Sequence, residues 1–409
     1  MRQNNSIIIV GGGLNGAMLA LALAQAGFAV TLVDSRVLQE TRQNDPFDGR
    51  AYALALTSQR LLLSLGLWEH VSKHAQPILH IKVTDGQVGE QPSPFWLHFD
   101  HAEIEEGPVG FMVEDRHLRH ALLKFVNQND RITFVTGTTV ISQEISANIV
   151  SIQLDNGESL GGQLLIGCDG SDSLTAKRAK IAHVGRIYGQ TSLVCALDHK
   201  LPHRGVAHQL FLPAGPLAIL PLTGNSSSIV WTETNSEAAK IHHSDDSAYL
   251  AALRLRLGKF LGEIDLRGSR YQYSLSLRIA EKFVAERVAL VGDAAHCIHP
   301  IAGQGLNAGI RDVGALAEVL ATAARRGEDV GSSAVLRRYQ QWRRFDCLRL
   351  AIATDAFNRL FSNDIPILRT ARDLGLGIVN AIPELRRTFM REASGLRGTV
   401  PRLLQGKQI

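Results

Sequence analysis

The sequence predicts an α/β protein that combines a parallel sheet with a second, mixed sheet and a helical C-terminal part. Three observations support this fold class. Residues 6–33 show a strand, a glycine turn, a helix and a second strand in succession. Two later apolar runs, at 164–167 and 287–291, each lead into a turn that contains Asp and Gly. Between them, residues 181–279 contain short alternating runs that are typical of half-buried strands.

The N-terminal segment predicts one βαβ unit. Ser6–Val10 is a β-branched run suited to a buried parallel strand. Residues 14–26 are rich in Ala and Leu and favour a helix, and Gly27 stands where a helix commonly ends. Residues 29–33 form the second strand of the unit.

The same segment carries no charge between residues 3 and 33, so a signal peptide or a membrane span is an alternative interpretation. Gly11 to Gly13 and Asn15 interrupt the apolar run, and the segment ends in a strand pattern. Elsewhere no run of 18 apolar residues occurs, so we expect no transmembrane helix. The expected location is cytoplasmic.

A glycine motif, Gly11-x-Gly13-x-x-Gly16, lies at the turn of the βαβ unit. The first glycine permits the tight turn, the second lets a pyrophosphate approach the backbone, and the third lets the helix pack closely on the strand. Asp34 ends the second strand, where a carboxylate can bind an adenosine ribose. The pattern predicts dinucleotide binding, and a glycine-rich turn without a ligand is the competing interpretation. Asp34 argues against NADP here, because it would repel a 2′-phosphate.

Two further glycine-containing segments extend the predicted site. Asp169 follows the strand at 164–167, and Asp293 follows the strand at 287–291 and is well placed to bind a hydroxylated chain. Gly303 and Gly305 open a long Ala-rich helix, whose N-terminus can present N–H groups to an anion or an electron-rich ring edge. A plain NAD dehydrogenase needs no second glycine-rich helix start.

Composition excludes several other classes. With 45% hydrophobic and 20% charged residues, the chain is globular rather than disordered. The four cysteines are far apart and lack zinc-ligand spacing, so neither a disulfide framework nor a metal site is expected. The net charge is only +4, and no nucleic-acid-binding module is present, so no nucleic-acid partner is expected.

The three glycine-containing segments together resemble the FAD-dependent aromatic hydroxylases of the para-hydroxybenzoate hydroxylase type. Residues 292–296 (GDAAH) and 299–307 (HPIAGQGLN), ending at Arg311-Asp312, look most like the 2-polyprenylphenol hydroxylase (UbiH-type) branch of ubiquinone biosynthesis. Residues 48–54 and 114–118 match the two family segments whose arginines, here Arg50 and Arg116, approach the flavin.

The resemblance implies a Rossmann-type FAD-binding domain, an inserted mixed β-sheet over the flavin that binds the substrate, and C-terminal helices. We expect the FAD-binding domain at 1–75, 105–180 and 280–330, the substrate-binding sheet at 76–104 and 181–279, and the helical region at 331–409. The residues implied to hold FAD are Gly11, Gly13, Gly16, Asp34, Arg50, Arg116, Asp169, Asp293, Gly303, Gly305, Leu306 and Asn307.

The implied reaction is hydroxylation of the aromatic ring of a polyprenyl phenol, with NADH or NADPH and O2 as co-substrates and oxygen activated as a flavin C4a-hydroperoxide. The protein must position the ring and exclude water rather than supply a nucleophile. Two alternatives remain open: a flavin monooxygenase of another aromatic or alkene substrate, and a weakly active flavoprotein scaffold of the ubiquinone-biosynthesis complex.

No residue is firmly implied as catalytic. His296, His299 and Pro300 are weak candidates because they lie near the flavin helix in the sequence, and support of the loop is the competing role.

One departure affects the reductant: the Arg that usually follows the Asp-Gly motif is Ala176 here, and the later Gly is Lys180. Lys177 and Arg178 could compensate, and the choice between NADH and NADPH stays open.

The C-terminal part is basic, with 16 Lys/Arg against 8 Asp/Glu in residues 325–409. Arginines interleave with apolar residues between 385 and 404, a pattern that suits the inner membrane face or a docking surface for other ubiquinone-biosynthesis enzymes. An amphipathic helix packed on its own domain is the alternative.

Residues 212–222 predict an edge strand and a turn near a ligand, or else a plain hairpin of the core.

Overall fold

The computed structural model of the chain describes residues 6–37, 46–89, 96–299, 303–362, 375 and 377–409. Pro300 and part of the helical region expected at 331–409 lie outside these residues. The strands are β1 Ser6–Val10, β2 Ala29–Asp34, β3 Ala51–Ala55, β4 Ala75–Ile78, β5 His80–Asp85, β6 Trp96–Asp100, β7 Gly110–Glu114, β8 Ile132–Thr136, β9 Val140–Ile145, β10 Val150–Leu154, β11 Ser159–Gly162, β12 Leu164–Gly167, β13 His183–His199, β14 Val206–Leu212, β15 Gly215–Leu222, β16 Ser226–Thr234, β17 Ile264–Ala280, β18 Val284–Ala285, β19 Val288–Leu290 and β20 His296–Cys297. The helices are α1 Leu14–Gln25, α2 Leu56–Ser64, α3 Trp68–Val71, α4 Asp115–Asn127, α5 Leu174–Arg178, α6 Asn235–His243, α7 Asp246–Leu257, α8 Gln304–Arg325, α9 Ser333–Phe361 and α10 Pro383–Ala393.

A six-stranded sheet has the order β18-β19-β12-β1-β2-β8, and all its pairs are parallel except β18 with β19. The predicted βαβ unit is confirmed, with the helix one residue shorter and the second strand one residue longer than expected. Helices α1 and α8 pack against each other beside this sheet, and the apolar faces of α1, α8 and α9 share one buried core with it. Parallel strands end at the same edge, so the turns after β1, β2, β12 and β19 converge.

An eight-stranded sheet has the order β20-β17-β13-β16-β15-β14-β5-β6, with β14 and β5 parallel and the remaining pairs antiparallel. Its strands come from residues 80–100, 183–280 and 296–297. The α/β class with a parallel sheet and a mixed sheet is therefore confirmed, and the domain limits given above remain a prediction.

The expectation of an edge strand at 212–222 is wrong, because β15 lies between β14 and β16 inside the eight-stranded sheet. The register explains how a strand with two prolines can do this. The ladder with β14 covers residues 215–219 of β15, and the ladder with β16 covers residues 217–222. Pro216 and Pro221 each lie where β15 has only one neighbour, so each proline is locally at an edge.

Two small antiparallel sheets complete the architecture, with orders β11-β10-β9 and β3-β7-β4. The second connects the two large sheets, since Ala53 of β3 packs in an apolar cluster with Ala207 and Leu220 of the eight-stranded sheet. Helix α9, 29 residues long, contacts β18 of the six-stranded sheet and β15 of the eight-stranded sheet. Among the described residues, no helix combines the length and apolar character needed to cross a bilayer.

Candidate active site

A cavity of about 1610 Å³ lies where the turns of the parallel sheet meet one face of the eight-stranded sheet. Ligand pockets ordinarily measure roughly 300–1,000 Å³, so this cavity has room for a dinucleotide and a second molecule. Its polar end is formed by the turns after β1, β2, β12 and β19 and by the start of α8. Its other end is mainly apolar and lies beneath α9 and α10, which also contribute the Arg349–Glu392 ion pair to the lining.

The glycine motif forms a close backbone cradle at the polar end. Gly11 has φ +106°, and a Cβ there would lie 2.3 Å from the carbonyl oxygen of Cys168. A Cβ on Gly16 would lie 1.8 Å from the carbonyl oxygen of Gly11, so only glycine allows α1 to approach β1 this closely. Gly13 lines the cavity, and a Cβ there would meet no atom within 4 Å. The free N–H groups at the start of α1 thus face an open space suited to a phosphate.

Asp34 lies beside this cradle, buried but lining the cavity. Its Oδ2 accepts a hydrogen bond from the backbone N–H of Gly12 at 2.7 Å, and its Oδ1 accepts one from the N–H of Arg36 at 2.8 Å. The Arg36 side chain, which is largely exposed, also pairs with this carboxylate. The two backbone hydrogen bonds hold the carboxylate in place. A ribose hydroxyl that binds Asp34 would therefore displace only the exposed Arg36 guanidinium, whose ion pair is weak in solvent.

The start of α8 forms another part of the polar end of the cavity. Gly303 takes a left-handed conformation with φ +64°, and a Cβ there would lie 3.0 Å from the Cβ of Ala53. The Asn307 carboxamide joins β3 to the start of α8. Its Nδ2 donates to the carbonyl oxygens of Ala53 and Gly303, and its Oδ1 accepts from the Ala55 N–H, all at 2.8 Å. Asn307 therefore shapes the cavity wall through its side chain, while Gly305 and Leu306 also line the cavity.

The two predicted aspartates line the cavity in different ways. Asp169 accepts hydrogen bonds from the hydroxyl of Ser173 at 2.5 Å and from the backbone N–H of Thr175 at 2.9 Å, which tie it to the start of α5. Within the described residues the Asp293 carboxylate has no hydrogen-bond partner, and it is open to the cavity. Desolvation by the surrounding protein raises the pKa of Asp293 above its ordinary value, outweighing the opposing effect of His296. Asp293 is thus the acceptor most available to a ligand hydroxyl.

Arg50 and Arg116 are not among the described residues that line the cavity, so their approach to the flavin remains a prediction. The Arg50 guanidinium pairs with Asp48 at 2.7 Å and with Asp115 at 3.3 Å. The Arg116 guanidinium pairs with Glu114 at 2.7 Å. Each guanidinium is thus paired with at least one carboxylate two residues away in the sequence.

His296 does not line the cavity either, and its surroundings indicate a structural role. It is buried beside Asp312, which also pairs with the buried guanidinium of Arg343, a residue of the cavity lining. Asp312 accepts hydrogen bonds from His296 Nε2 at 2.5 Å, from Arg343 Nε at 2.7 Å and from the backbone N–H of Gly292 at 3.1 Å. The cluster therefore anchors the turn that carries Asp293 to helices α8 and α9.

This cluster should make stability depend on pH. Burial opposes protonation of His296, but Cys347 and Asp312 outweigh it and raise the pKa of the imidazole well above 6.5. A raised pKa stabilises the fold fully below pH 6.5, and that stabilisation is lost as pH rises toward the folded-state pKa. We expect the free energy of unfolding of the wild type, minus that of His296→Gln, to fall between pH 6.5 and 8.5 by up to about 1.4 kcal/mol per pH unit. Urea titrations of both holoproteins measure this difference; a flat difference would contradict a charged His296.

His299 also lies outside the cavity lining. Its ring is fully buried, and the Tyr188 ring meets it edge to face at 5.1 Å. Burial lowers the pKa of His299 to about 4, despite the opposing charge of Asp355. Neither imidazole is among the described residues that line the cavity, and His299 is held in its neutral form.

The apolar end of the cavity is formed by one face of strands β5, β6, β14, β15 and β16 and by helices α9 and α10. Phe211 of β14 stacks on Phe361 of α9 with ring centroids 4.1 Å apart. Phe357, Leu360 and Phe389 line the cavity and remain 39–41% exposed. The apolar end therefore opens to the surface between α9 and α10.

Comparisons with known proteins agree with this geometry. Residues 4–347 match the family described as FAD binding domain. The chain is 42% identical to the ubiquinone hydroxylase UbiL of Rhodospirillum rubrum, over 98% of this chain and 92% of that protein. It is 32% identical to the 3-demethoxyubiquinol 3-hydroxylase of Escherichia coli, over 96% of this chain and 99% of that protein. The chain belongs to the ubiquinone-hydroxylase branch of the FAD-dependent aromatic hydroxylases.

A solved structure, the p-nitrophenol 4-monooxygenase PnpA of Pseudomonas putida, shares the fold of this hydroxylase. It has a TM-score of 0.78 at 20% identity and covers 96% of this chain and 98% of that one. The family match and the ubiquinone-hydroxylase relatives show that the protein is a flavoprotein monooxygenase. The glycine cradle, the start of α8 and the size of the cavity fit FAD. Sequence analysis missed Arg343, because a lone arginine in a helical pattern gives no sign of a buried partner 31 residues away.

Proposed function

We propose that this hydroxylase inserts one oxygen atom from O2 into the aromatic ring of a polyprenyl phenol intermediate of ubiquinone biosynthesis, with NAD(P)H as reductant. The cavity carries the proposal, because a polar dinucleotide end continues into an apolar end that opens between α9 and α10. The names of the two relatives support the pathway, while the ring position and the choice of reductant are left to experiment.

The residues that would hold FAD are those of the glycine cradle, the two cavity aspartates and the start of α8. The backbone N–H groups after Gly11 and Gly13 would bind the pyrophosphate, Asp34 the adenosine ribose and Asp293 the hydroxylated chain. When bound, FAD supplies the hydride acceptance and oxygen activation that amino-acid side chains lack. Asp169 would keep its structural bonds to α5 beside the cofactor.

The protein's own contribution is to position the ring and to exclude water. The apolar side chains of the eight-stranded sheet and the Phe211–Phe361 stack leave few groups that could hold water near the reacting ring. Lys177 and Arg178 line the polar end of the cavity, where they are available to an anionic reductant. No described acid–base residue is required to touch the ring.

A prenyl tail would leave through the opening beside Phe357, Leu360 and Phe389. This opening faces the basic C-terminal part, which suits a protein at the surface of an anionic membrane on its cytoplasmic side. A docking surface for partner enzymes is the alternative occupant of the same region.

The tail route predicts that Phe389→Asp lowers activity in proportion to tail length. A charge at the opening should reduce kcat/KM about 10-fold for a substrate with several prenyl units, and leave a one-unit substrate within about 2-fold, because only the long tail reaches Phe389. Phe345→Asp is the matched control, since Phe345 is 69% exposed and does not line the cavity. Equal losses on both substrates would rule out this route for the tail.

The function is tested with the purified protein, which should be yellow with a flavin absorption band. A short-tailed prenyl phenol should stimulate NAD(P)H oxidation and yield a product 16 Da heavier by mass spectrometry. Quinone profiling of a deletion strain should show an accumulated intermediate that lacks one ring oxygen. Activity confined to soluble aromatic acids would overturn the substrate, and FAD binding without product would favour the scaffold alternative.

A further inference from the structure

The floor of the apolar end is one face of the eight-stranded sheet, and one row across it contains a single polar side chain. The register places Leu97, Val83, Gln209, Ala218 and Val230 side by side on five neighbouring strands. All five line the cavity. Gln209 is thus an amide at the centre of an otherwise apolar row.

The neighbours of Gln209 leave space above its side chain. Ala218 lies directly across on β15, and Ala207 lies two residues earlier on the same face of β14. Small side chains on two sides of a longer one create a shallow depression in a sheet surface. A flat aromatic ring can lie in this depression with an edge toward the amide.

The position of Gln209 is intermediate between the two ends of the cavity. Ala207 packs in the cluster that contains Ala53, and Ala53 is in contact range of the start of α8 at Gly303. On the other side of Gln209, Phe211 begins the apolar region under α9. Successive residues on one strand face are about 6.8 Å apart, so Gln209 lies about that far along β14 from Ala207 and from Phe211.

The Gln209 carboxamide is half-buried and faces the cavity, and within the described residues it makes no hydrogen bond. Polar groups directed into protein interiors are ordinarily paired with a partner. The amide offers two N–H donors and one oxygen acceptor, which together match a phenol hydroxyl beside an ether or quinol oxygen.

We propose that Gln209 orients the substrate ring by hydrogen bonding to its oxygen substituents, and thereby selects the ring carbon that is hydroxylated. The proposal rests on the proposed function, because it assumes an oxygen-substituted aromatic ring with a tail under α9. The depression between Ala207 and Ala218 holds the ring face, and the amide fixes its rotation.

The test compares Gln209→Leu and Gln209→Met with the wild type on a short-tailed prenyl phenol. Both replacements keep similar volume and remove the hydrogen bonds. We expect unchanged FAD content, a kcat/KM lower by about 10- to 100-fold, and more NAD(P)H oxidised per product formed. The product should also show hydroxylation at more than one ring carbon, a change that a purely structural role would not cause.

Gln153→Leu is the matched control, because Gln153 is an exposed strand residue of β10 away from the cavity. A wild type that hydroxylates no prenyl phenol would defeat the proposed function. A wild type that does so, with both Gln209 variants equal to it in kcat/KM, coupling and product position, would overturn the role of Gln209 alone.

Discussion

Replacing Gly13 with valine should give a folded protein that has lost FAD. The Cβ position of Gly13 meets no protein atom within 4 Å, and its φ of −65° is open to valine, so the replacement is compatible with the start of α1. It would project into the cavity at the point where backbone N–H groups face the phosphates. We expect FAD affinity to fall by at least about 100-fold, equivalent to about 2.7 kcal/mol of binding free energy.

Fluorescence titration of the apoprotein with FAD measures this loss, and circular dichroism checks the fold. Gly161→Val is the matched control, because a Cβ at Gly161 also meets no atom but lies on β11, outside the cavity. Gly13→Val that purifies yellow with wild-type affinity would show that the phosphates do not lie beside the start of α1.

The second large effect is expected from Asp312→Asn. The carboxylate is fully buried and is shared by the imidazole of His296 and the guanidinium of Arg343. These partners hold the pKa of Asp312 below its ordinary value, although burial alone would raise it. Removing the negative charge leaves the buried Arg343 guanidinium with Asp346 as its remaining carboxylate partner and removes the anion paired with His296. Loss of one partner costs about 3–5 kcal/mol in comparable buried pairs.

Chemical denaturation of the holoprotein measures the loss of unfolding free energy. Asp155→Asn, at an exposed turn, controls for the general effect of an Asp to Asn change and should alter stability by less than about 0.5 kcal/mol. FAD affinity should also fall for Asp312→Asn, since Asp312 holds the Gly292 N–H beside Asp293. A loss below about 1 kcal/mol would mean that the cluster is not an ion pair network.

The two variants separate two kinds of residue in one site. Gly13 matters because it places no side chain in the space for the phosphates, whereas Asp312 matters because its carboxylate binds both His296 and Arg343. Motif matching found Gly13 because its spacing from Gly11 and Gly16 is local. Asp312 stood at the end of a recognised segment, but its partner Arg343 lies on another helix, so the network itself required coordinates.

Similar contrasts run through the rest of the chain. The strands and helices that flank the glycine motif formed where local patterns placed them, because apolar periodicity and glycine positions act within a few residues. The edge strand expected at 212–222 lies inside the sheet. The ladders of β15 with β14 and β16 are staggered, so each proline of β15 has only one neighbouring strand. This stagger depends on the pairing partners, which are distant in the sequence. Arg50 and Arg116 matched family segments, and only the folded protein shows that both pair with nearby carboxylates.

Local signals in the chain were sufficient for the α/β class and the dinucleotide cradle, since phosphate binding needs glycines at fixed short spacings. The choice of FAD came from the resemblance of three short segments to a known family. Which side chains line the apolar end of the cavity, where the substrate would bind, depends on long-range strand pairing. The row containing Gln209 draws on strands from residues 83 to 230, and the buried cluster draws on helices α8 and α9. Such neighbours are chosen by packing and register across the folded protein, and no short stretch of sequence carries that information.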